Sequence, residues 1–206
     1  MASKNNNRGP QRGGRNNQPD PVTRWIVIGM VSLVVVIGAI FTVVSNKSAS
    51  NVALPPGASK DDGYGIVFNA DKSPTIHIWE DFQCPVCRDF EAVNNKQINE
   101  WINTKKLVAV FHPLSFIGAE SAYMANAAAC SADEGKFLQF HEALYANQAS
   151  AENSGKWNQT TLIGLGAGLG LNSKNFADCV TSAKYSDWVT NIANDGQDKK
   201  IDSTPT

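Results

Sequence analysis

Two cysteines separated by two residues are the part of this sequence with the clearest chemical potential. The segment EDFQCPVCRDFE, residues 80–91, places Cys84 and Cys87 three positions apart, with Pro85 and Val86 between them. This spacing is compatible with a redox-active pair, with half of a metal site or with a purely structural disulfide. The secondary structure predicted around the pair and the cellular compartment of the domain distinguish among these three possibilities.

The cysteine pair lies where a predicted strand passes into a predicted helix. Residues 75–81 (TIHIWED) have the β-branched and aromatic composition of a strand, as do residues 65–69 and 107–114. A helix is predicted to begin near Cys84, because Pro85 suits a first helical turn. Residues at helical spacing support that helix: Val86, Phe90, Val93, Gln97 and Trp101. Strand, helix and strand in this order predict a βαβ unit with parallel strands.

This position favours reversible disulfide chemistry at the pair. A sulfur in the first turn of a helix faces unpaired backbone N–H groups and the positive end of the helix dipole, and both stabilise a thiolate. The thiolate is the nucleophile in thiol–disulfide exchange, and the second cysteine follows one turn later. A C-x-x-C ring is strained and easily reduced, which suits exchange better than a structural crosslink.

The metal hypothesis stays open in one form. The other two cysteines, Cys130 and Cys179, are too far apart in sequence to make a second C-x-x-C pair, which excludes a zinc ribbon. A mixed copper or zinc site that uses His77, His112 or His141 remains an alternative. A non-enzymatic module that holds a metal or a protein client in the same cleft is therefore a competing function.

The first 44 residues indicate a membrane anchor. Residues 1–24 are rich in Asn, Gly and Arg and are predicted to be a disordered cytoplasmic arm, with RNA binding as the alternative. Residues 25–44 carry no charge, and at about 1.5 Å per helical residue they span the roughly 30 Å hydrocarbon core of a bilayer. Because the basic flank precedes them, the remainder is predicted to be extracytoplasmic. The run is long for a cleaved signal peptide, so an uncleaved signal-anchor is favoured.

The exported part consists of a predicted stalk, residues 45–62, and one predicted domain, residues 63–206. Residues 118–195 are predicted to be almost entirely helical, as an insert between the halves of an α/β sheet. Five of the 18 basic and one of the 19 acidic residues lie in residues 1–24, so the remainder has a net charge of −5. This charge predicts no nucleic-acid partner. All four cysteines lie in this part, where an oxidising compartment favours disulfides.

The sequence around the pair resembles a known family. IHIWEDFQCPVCRDFE resembles the strand–CxxC–helix segment of DsbA-like thiol–disulfide oxidoreductases of the thioredoxin superfamily, in particular the membrane-anchored group of Gram-positive and actinobacterial envelopes. The resemblance continues in GYGIVF, AAACSADEGKFLQFHEALYANQ, LGLNSKNFADCV and DSTPT. It implies an α/β thioredoxin fold with an inserted helical subdomain, preceded by one transmembrane helix.

The resemblance also implies roles for individual residues. Cys84 is the solvent-facing nucleophile, and Cys87 is the buried resolving thiol. Pro205 is a cis-proline whose loop packs against the sulfurs, and Thr204 offers its backbone to a substrate chain as an added strand. Cys130 and Cys179 form a structural disulfide in the helical insert, with two buried free thiols as the alternative.

The implied function is oxidation of cysteines in exported proteins at the cell membrane. The implied reoxidising partner is a membrane protein of the DsbB or vitamin K epoxide reductase type, and no cofactor is expected beyond the redox-active disulfide. A disulfide reductase or isomerase that uses the same site is the alternative within this chemistry.

The sequence departs from the family pattern in three places. Val86 cannot stabilise a thiolate as histidine does, which predicts a less oxidising pair. Ile78 occupies the position six residues before the nucleophile, where thioredoxins often carry a buried carboxylate. Glu80 or Asp81 is therefore the predicted proton-transfer group, unless these residues are solvated or capping. Finally, the family continues after the proline loop through a hairpin and a helix, so a C-terminal part of the fold is expected to be missing.

Overall fold

The computed structural model describes residues 22, 25, 26, 28–36 and 52–206. The chain divides into two compact units, Met1–Asn51 and Val52–Thr206. In the second unit, Val52 and Leu54 pack against the core and Ala58 forms a β-bridge with Ile66. Residues 52–62, assigned to a stalk from the sequence, therefore belong to the folded domain.

The described residues of the first unit are helical. Residues 22, 25, 26 and 28–36 have helical backbone, and their side chains are exposed. Residues 27 and 37–44 of the predicted anchor lie outside the described residues, as do residues 1–21, 23 and 24 of the predicted arm and residues 45–51. None of the helices within the described residues combines the length and hydropathy that a membrane span requires.

A mixed sheet of three strands forms the centre of the described domain. The strands are β1 (Ile66–Phe68), β2 (Thr75–Asp81) and β3 (Val108–Leu114), in the order β1-β3-β2. β3 is antiparallel to β1 and parallel to β2, with Ile78 opposite Phe111. The parallel strands are joined by helix α1 (Pro85–Asn103), which confirms the predicted βαβ unit.

Five helices follow β3, which confirms the predicted helical character of residues 118–195. They are α2 (Ala119–Ala132), α3 (Phe137–Ala146), α4 (Gln159–Gly168), α5 (Ser173–Thr181) and α6 (Ser186–Asp198). The N-cap of α5 is Asn172, whose side-chain oxygen accepts from the backbone N–H groups of Lys174 and Asn175, each at 3.1 Å. The next residue, Ser173, is of a type that caps helices equally well, so composition alone does not identify the cap.

The core is continuous between the sheet and the helical insert. Every residue of β3 is buried, and α2 and α6 both pack against this strand. Most of α2 is also buried, and its alanines let neighbouring helices approach closely. A disulfide joins Cys130 in α2 to Cys179 in α5, with Cα atoms 5.9 Å apart. This is the pairing that the family resemblance implied.

Helix α1 forms as predicted, but its buried side differs from the stripe that indicated it. Val86 and Val93 are 61% and 79% exposed, whereas the buried positions are Cys87, Glu91, Ile98 and Ile102. Since residues four apart share a helix face, the Glu91 carboxyl lies one turn below Cys87 on the buried side. A carboxyl group inside the protein thus accompanies the second cysteine.

Candidate active site

The sulfur of Cys84 lies at the N-terminus of α1. Cys84 is the N-cap residue, with extended backbone (φ −69°, ψ 118°), and Pro85 is the first helical residue. The backbone N–H of Cys87 donates to Cys84 Sγ at 3.4 Å, and the Cys84 thiol donates to the Thr204 carbonyl oxygen at 3.5 Å. A backbone N–H group of the first turn thus points at this sulfur, as the sequence predicted.

The two thiols have different environments. Cys84 is 7% exposed, whereas Cys87 has no exposed surface, and neither is crosslinked. Burial raises the pKa of Cys87 to about 12, although hydrogen bonds from the Thr204 side chain and the Asp81 backbone oppose this. Only the first cysteine is therefore placed to meet another molecule.

The Thr204–Pro205 segment completes the site. The Thr204–Pro205 peptide bond is cis, and the Thr204 carbonyl contacts Cys84. Thr206 then exchanges two backbone hydrogen bonds with Trp79 of β2, at 2.9 and 3.0 Å. The structure thus brings Thr204 together with both cysteines, although more than a hundred residues separate them in sequence.

Asp81 is fully buried and hydrogen-bonded. Its carboxylate accepts from the backbone N–H of Gln83 at 2.9 Å, from the Ser121 hydroxyl at 2.6 Å and from the backbone N–H of Ile117 at 3.2 Å. Burial raises the pKa of Asp81, and these hydrogen bonds oppose the rise. Of the alternatives for Asp81, the solvated one is wrong. The carboxylate instead ties the turn before Cys84 to helix α2.

Two further residues of the helical insert, Gln148 and Asn153, hold the active-site turn, and sequence reasoning missed both. The Gln148 amide donates to the carbonyl oxygens of Phe82 and Cys84, at 2.9 and 3.0 Å. Gln83 accepts from the backbone N–H of Asn153 at 2.6 Å. No local pattern marks these residues, because each contact joins segments more than sixty positions apart.

Glu80 is also buried, and its partner is a histidine. Glu80 Oε1 pairs with His141 Nε2, and Glu91 Oε2 lies 3.9 Å from His141 Nδ1. Rings of Phe82, Phe111, Phe137 and Tyr145 surround the imidazole, with centroids 5.1 to 5.8 Å away. The sequence named Glu80 for proton transfer and His141 only as a possible metal ligand, and it missed Glu91. A carboxyl residue four positions after Cys87 was the available signal for Glu91.

The electrostatics of this group favour bound protons. Burial raises the pKa of Glu91 to about 7, with a further rise from Glu80 and an opposing effect of His141. Burial alone lowers the pKa of His141, but the charges of Glu80 and Glu91 outweigh it and raise that pKa overall. Glu91 and His141 therefore hold a proton more readily than the same side chains do in water.

The same three residues are the only group of three potential metal ligands among the residues that the structure describes. One ligand atom from each of Glu80, Glu91 and His141 lies within 4.8 Å of the others. Each nitrogen of the His141 imidazole faces a different carboxylate. Protons shared between the imidazole and the two carboxylates account for this arrangement without a metal ion. Neither cysteine belongs to this group. His77 and His112 instead contact each other at 3.0 Å.

The family model described as Thioredoxin matches residues 64–206. The chain belongs to the thioredoxin family. The match covers the strand before the cysteine pair, helix α1, the helical insert and the cis-proline segment. The curated proteins that were compared include none that matches this chain significantly.

Solved structures of DsbA-like proteins resemble the fold. MdbA of Actinomyces oris, a thiol–disulfide oxidoreductase, superposes with a TM-score of 0.66 at 22% identity, over 77% of this chain and 79% of that one. Reduced DsbA of Mycobacterium tuberculosis gives a TM-score of 0.56 at 26% identity, covering 64% and 70%. BdbD of Bacillus subtilis gives 0.61 at 22% identity, covering 76% and 85%. The DsbA-like resemblance and the thioredoxin fold are confirmed.

Replacing Val86 with histidine is expected to make the pair more oxidising. Val86 is 61% exposed beside Cys84, so a histidine fits there without repacking and can donate to the thiolate. One hydrogen bond to a charged group contributes about 1.5 kcal/mol, so the equilibrium constant with glutathione should shift about tenfold. Redox titration in glutathione buffers measures this shift. Val93→His is the matched control, since Val93 is exposed two turns further along α1; equal titrations of both variants and the wild type would contradict the prediction.

Proposed function

We propose that the chain is a membrane-anchored, extracytoplasmic thiol–disulfide oxidoreductase that oxidises cysteines of exported proteins through Cys84 and Cys87. The observation that carries this proposal is the unequal environment of the two sulfurs. Cys84 Sγ lies at a helix N-terminus beside the Thr204 carbonyl, whereas Cys87 is fully buried. The membership of the thioredoxin family and the DsbA-like structural neighbours support the oxidoreductase class.

The reaction proceeds in two exchanges. A substrate thiolate attacks Cys84 Sγ of the oxidised pair, the Cys84–Cys87 bond breaks, and the Cys87 sulfur leaves as a thiolate and takes up a proton. A second substrate thiolate then attacks the substrate sulfur of the mixed disulfide, and Cys84 leaves as a thiolate. Two substrate thiols are oxidised to one disulfide, and the enzyme disulfide is reduced to two thiols.

Helix α1 favours the oxidase direction. The first-turn N–H groups stabilise a thiolate on Cys84, which makes this sulfur a good leaving group and stabilises the reduced enzyme relative to the oxidised one. The Thr204 backbone, next to Cys84 Sγ, is placed to pair with an extended substrate segment. Glu80 or Asp81 was the proton-transfer prediction. Of these, Glu80 fits better, because Asp81 is held by three donors.

The location and the reoxidising partner are also part of this proposal. An uncharged segment at residues 25–44 after a basic arm supports a single-pass anchor with the N-terminus in the cytoplasm. A membrane reoxidase of the DsbB or vitamin K epoxide reductase type would return the pair to the disulfide state. The redox-active disulfide itself serves as the electron carrier.

Disulfide reduction or isomerisation is the second candidate function, and Val86 is the observation that favours it. Valine offers no donor to the Cys84 thiolate, so the reduced enzyme is stabilised less than in a pair that contains histidine. The same sulfurs then pass electrons to substrate disulfides, with Cys87 resolving the mixed disulfide.

The redox state of the pair in cells separates the two functions. Cells are quenched with acid and the free thiols are labelled with a maleimide that increases the mass of the chain. The oxidase proposal predicts that Cys84 and Cys87 are mostly disulfide-bonded and escape labelling. A population that is mostly labelled at both cysteines would contradict the oxidase direction and favour the reductase or isomerase.

A further inference from the structure

Cys87 must exchange a proton in every catalytic cycle, yet no solvent reaches it. The sulfur leaves as a thiolate when a substrate reduces the pair, and it must lose a proton before it attacks a mixed disulfide on Cys84. The Cys87 side chain is fully buried, and its high pKa makes an isolated thiolate unfavourable there. A nearby group must therefore supply and remove this proton.

We propose that Glu80, His141 and Glu91 form a proton relay between the buried Cys87 sulfur and solvent in a cavity between α1 and α3. This inference rests on the proposed function, since it concerns the resolving step of the same pair. It assigns the proton transfer to a chain of three groups on β2, α3 and α1, and gives it an exit on the side of α1 away from Cys84.

The contacts within the group form a continuous path. The two nitrogens of His141 face Glu80 on one side and Glu91 on the other, so the imidazole accepts a proton at one nitrogen and releases it from the other. Glu91 lies one turn after Cys87 on the same buried face of α1. Both carboxyl groups are at least nine-tenths buried.

Unpartnered oxygen atoms extend this path. Glu80 Oε2, Glu91 Oε1 and the Tyr145 hydroxyl are buried and have no hydrogen-bond partner. Burial raises the pKa of Tyr145, and the charges of Glu80, Cys87 and Glu91 raise it further. Buried polar atoms are normally paired, so three unpaired oxygens in one place indicate a site that exchanges protons or water.

The relay ends at a cavity of about 420 Å³ between α1 and α3. Glu91 and Tyr145 form its inner wall, and the exposed side chains of Arg88, Lys96 and Glu142 form its rim. Solvent in this cavity therefore meets the outer end of the relay. Glu80 and Glu91 are themselves members of the relay. The other titratable and charged groups that face it are Cys87, Arg88, Lys96, Glu142 and Tyr145.

The proton balance of the resolving step follows from this path. The Cys87 thiol transfers its proton to the relay, and the resulting thiolate attacks Cys84 Sγ of the mixed disulfide. The Cys84–Cys87 bond forms, and the bond between Cys84 and the partner sulfur breaks, so the partner leaves as a thiolate. The proton passes through His141 to Glu91 and then to solvent. In the oxidase direction the same groups protonate the departing Cys87 sulfur.

The reaction of the reduced full-length chain in detergent with oxidised glutathione tests the relay. Acid quenching and intact-mass measurement separate the mixed disulfide on Cys84 from the final Cys84–Cys87 disulfide. In the wild type, the rate of the second step should rise with pH and level off above about pH 7, where Glu91 is a free base. In Glu91→Gln it should fall about 100-fold at pH 7 and keep rising at higher pH without a plateau, because general-base catalysis is lost.

Three comparisons make the result decisive. Glu142→Gln, on the rim of the same cavity, should keep the wild-type plateau rate and move the rise only to slightly lower pH, because the Glu142 charge raises the pKa of Glu91. Glu91→Ala should regain rate when acetate is added, since a small carboxylate can enter the enlarged cavity. An unchanged second step in Glu91→Gln, or stoichiometric zinc that Glu91→Gln abolishes, would overturn the relay. Failure of the wild type to form the mixed disulfide at all would instead overturn the proposed function.

Discussion

Replacing Cys84 with serine is expected to abolish disulfide exchange completely, while replacing Cys87 with serine should leave only its first step. Cys84 Sγ receives the N–H donor of the first helical turn and has exposed surface, so it is the sulfur that meets a substrate. Serine has a hydroxyl in this position and cannot form the mixed disulfide. In Cys87→Ser the mixed disulfide forms but has no internal thiol to resolve it.

Reduction of insulin by dithiothreitol measures this difference. The wild type should accelerate the precipitation of insulin chains, and Cys84→Ser should match the uncatalysed rate. When the reduced Cys87→Ser variant is mixed with insulin after the dithiothreitol has been removed, it should accumulate a covalent complex with an insulin chain, visible on a non-reducing gel and absent after reduction. Catalysis retained by Cys84→Ser would show that the reactive sulfur has been assigned to the wrong cysteine.

Removing the Cys130–Cys179 disulfide is expected to lower the free energy of unfolding by about 4 kcal/mol, on the chain-entropy model for a loop of this length. The bridge links α2 to α5 across 49 positions of sequence. Without it the unfolded chain gains conformations that the bond excludes, whereas the buried contacts of the two helices remain. Activity per folded molecule should be unchanged, because the active-site turn is held by other residues.

Urea unfolding of the Cys130→Ala/Cys179→Ala variant under non-reducing conditions provides the measurement. The Cys84→Ala/Cys87→Ala variant is the matched control, since it removes two buried cysteines with the same change in side-chain size. A loss of less than about 1 kcal/mol relative to that control would contradict the prediction, because typical native disulfides contribute 2–4 kcal/mol.

Local sequence patterns predicted the elements that carry the site. The β-branched residues of 75–81 and 107–114 mark two strands, and Pro85 marks the start of the helix between them. These signals arise from backbone preferences and act over a few residues. They can therefore be recognised in the sequence without knowledge of the tertiary structure. The disulfide and the cis-proline came from the family resemblance instead, because spacing alone determines neither feature.

The contacts that define the electrostatics of the site could not be predicted in the same way. Glu80 and Asp81 are adjacent acidic residues on one strand, and nothing local distinguishes them. The difference comes from distant partners, because Glu80 meets His141 whereas Asp81 meets the start of α2. Successive residues of a strand point to opposite faces, so the two carboxyl groups enter different surroundings.

The buried face of α1 shows a related limit. Val86 and Val93 are apolar, so hydrophobic periodicity assigns them the same weight as core residues. In the folded domain they face outward, and the polar Glu91 takes a core position. The proposed proton relay accounts for a carboxyl group at a position where packing alone would favour an apolar residue.

The slight exposure of Cys84 has a consequence for the timing of its action. A sulfur with 7% of its surface accessible lies in a recess, and a cysteine fixed on the flat surface of a finished protein does not reach it. A loose segment of polypeptide can bend into the recess and lie beside Thr204. The enzyme is therefore expected to select its targets by their mobility, acting on flexible or unfolded chains and ceasing to act once they have folded.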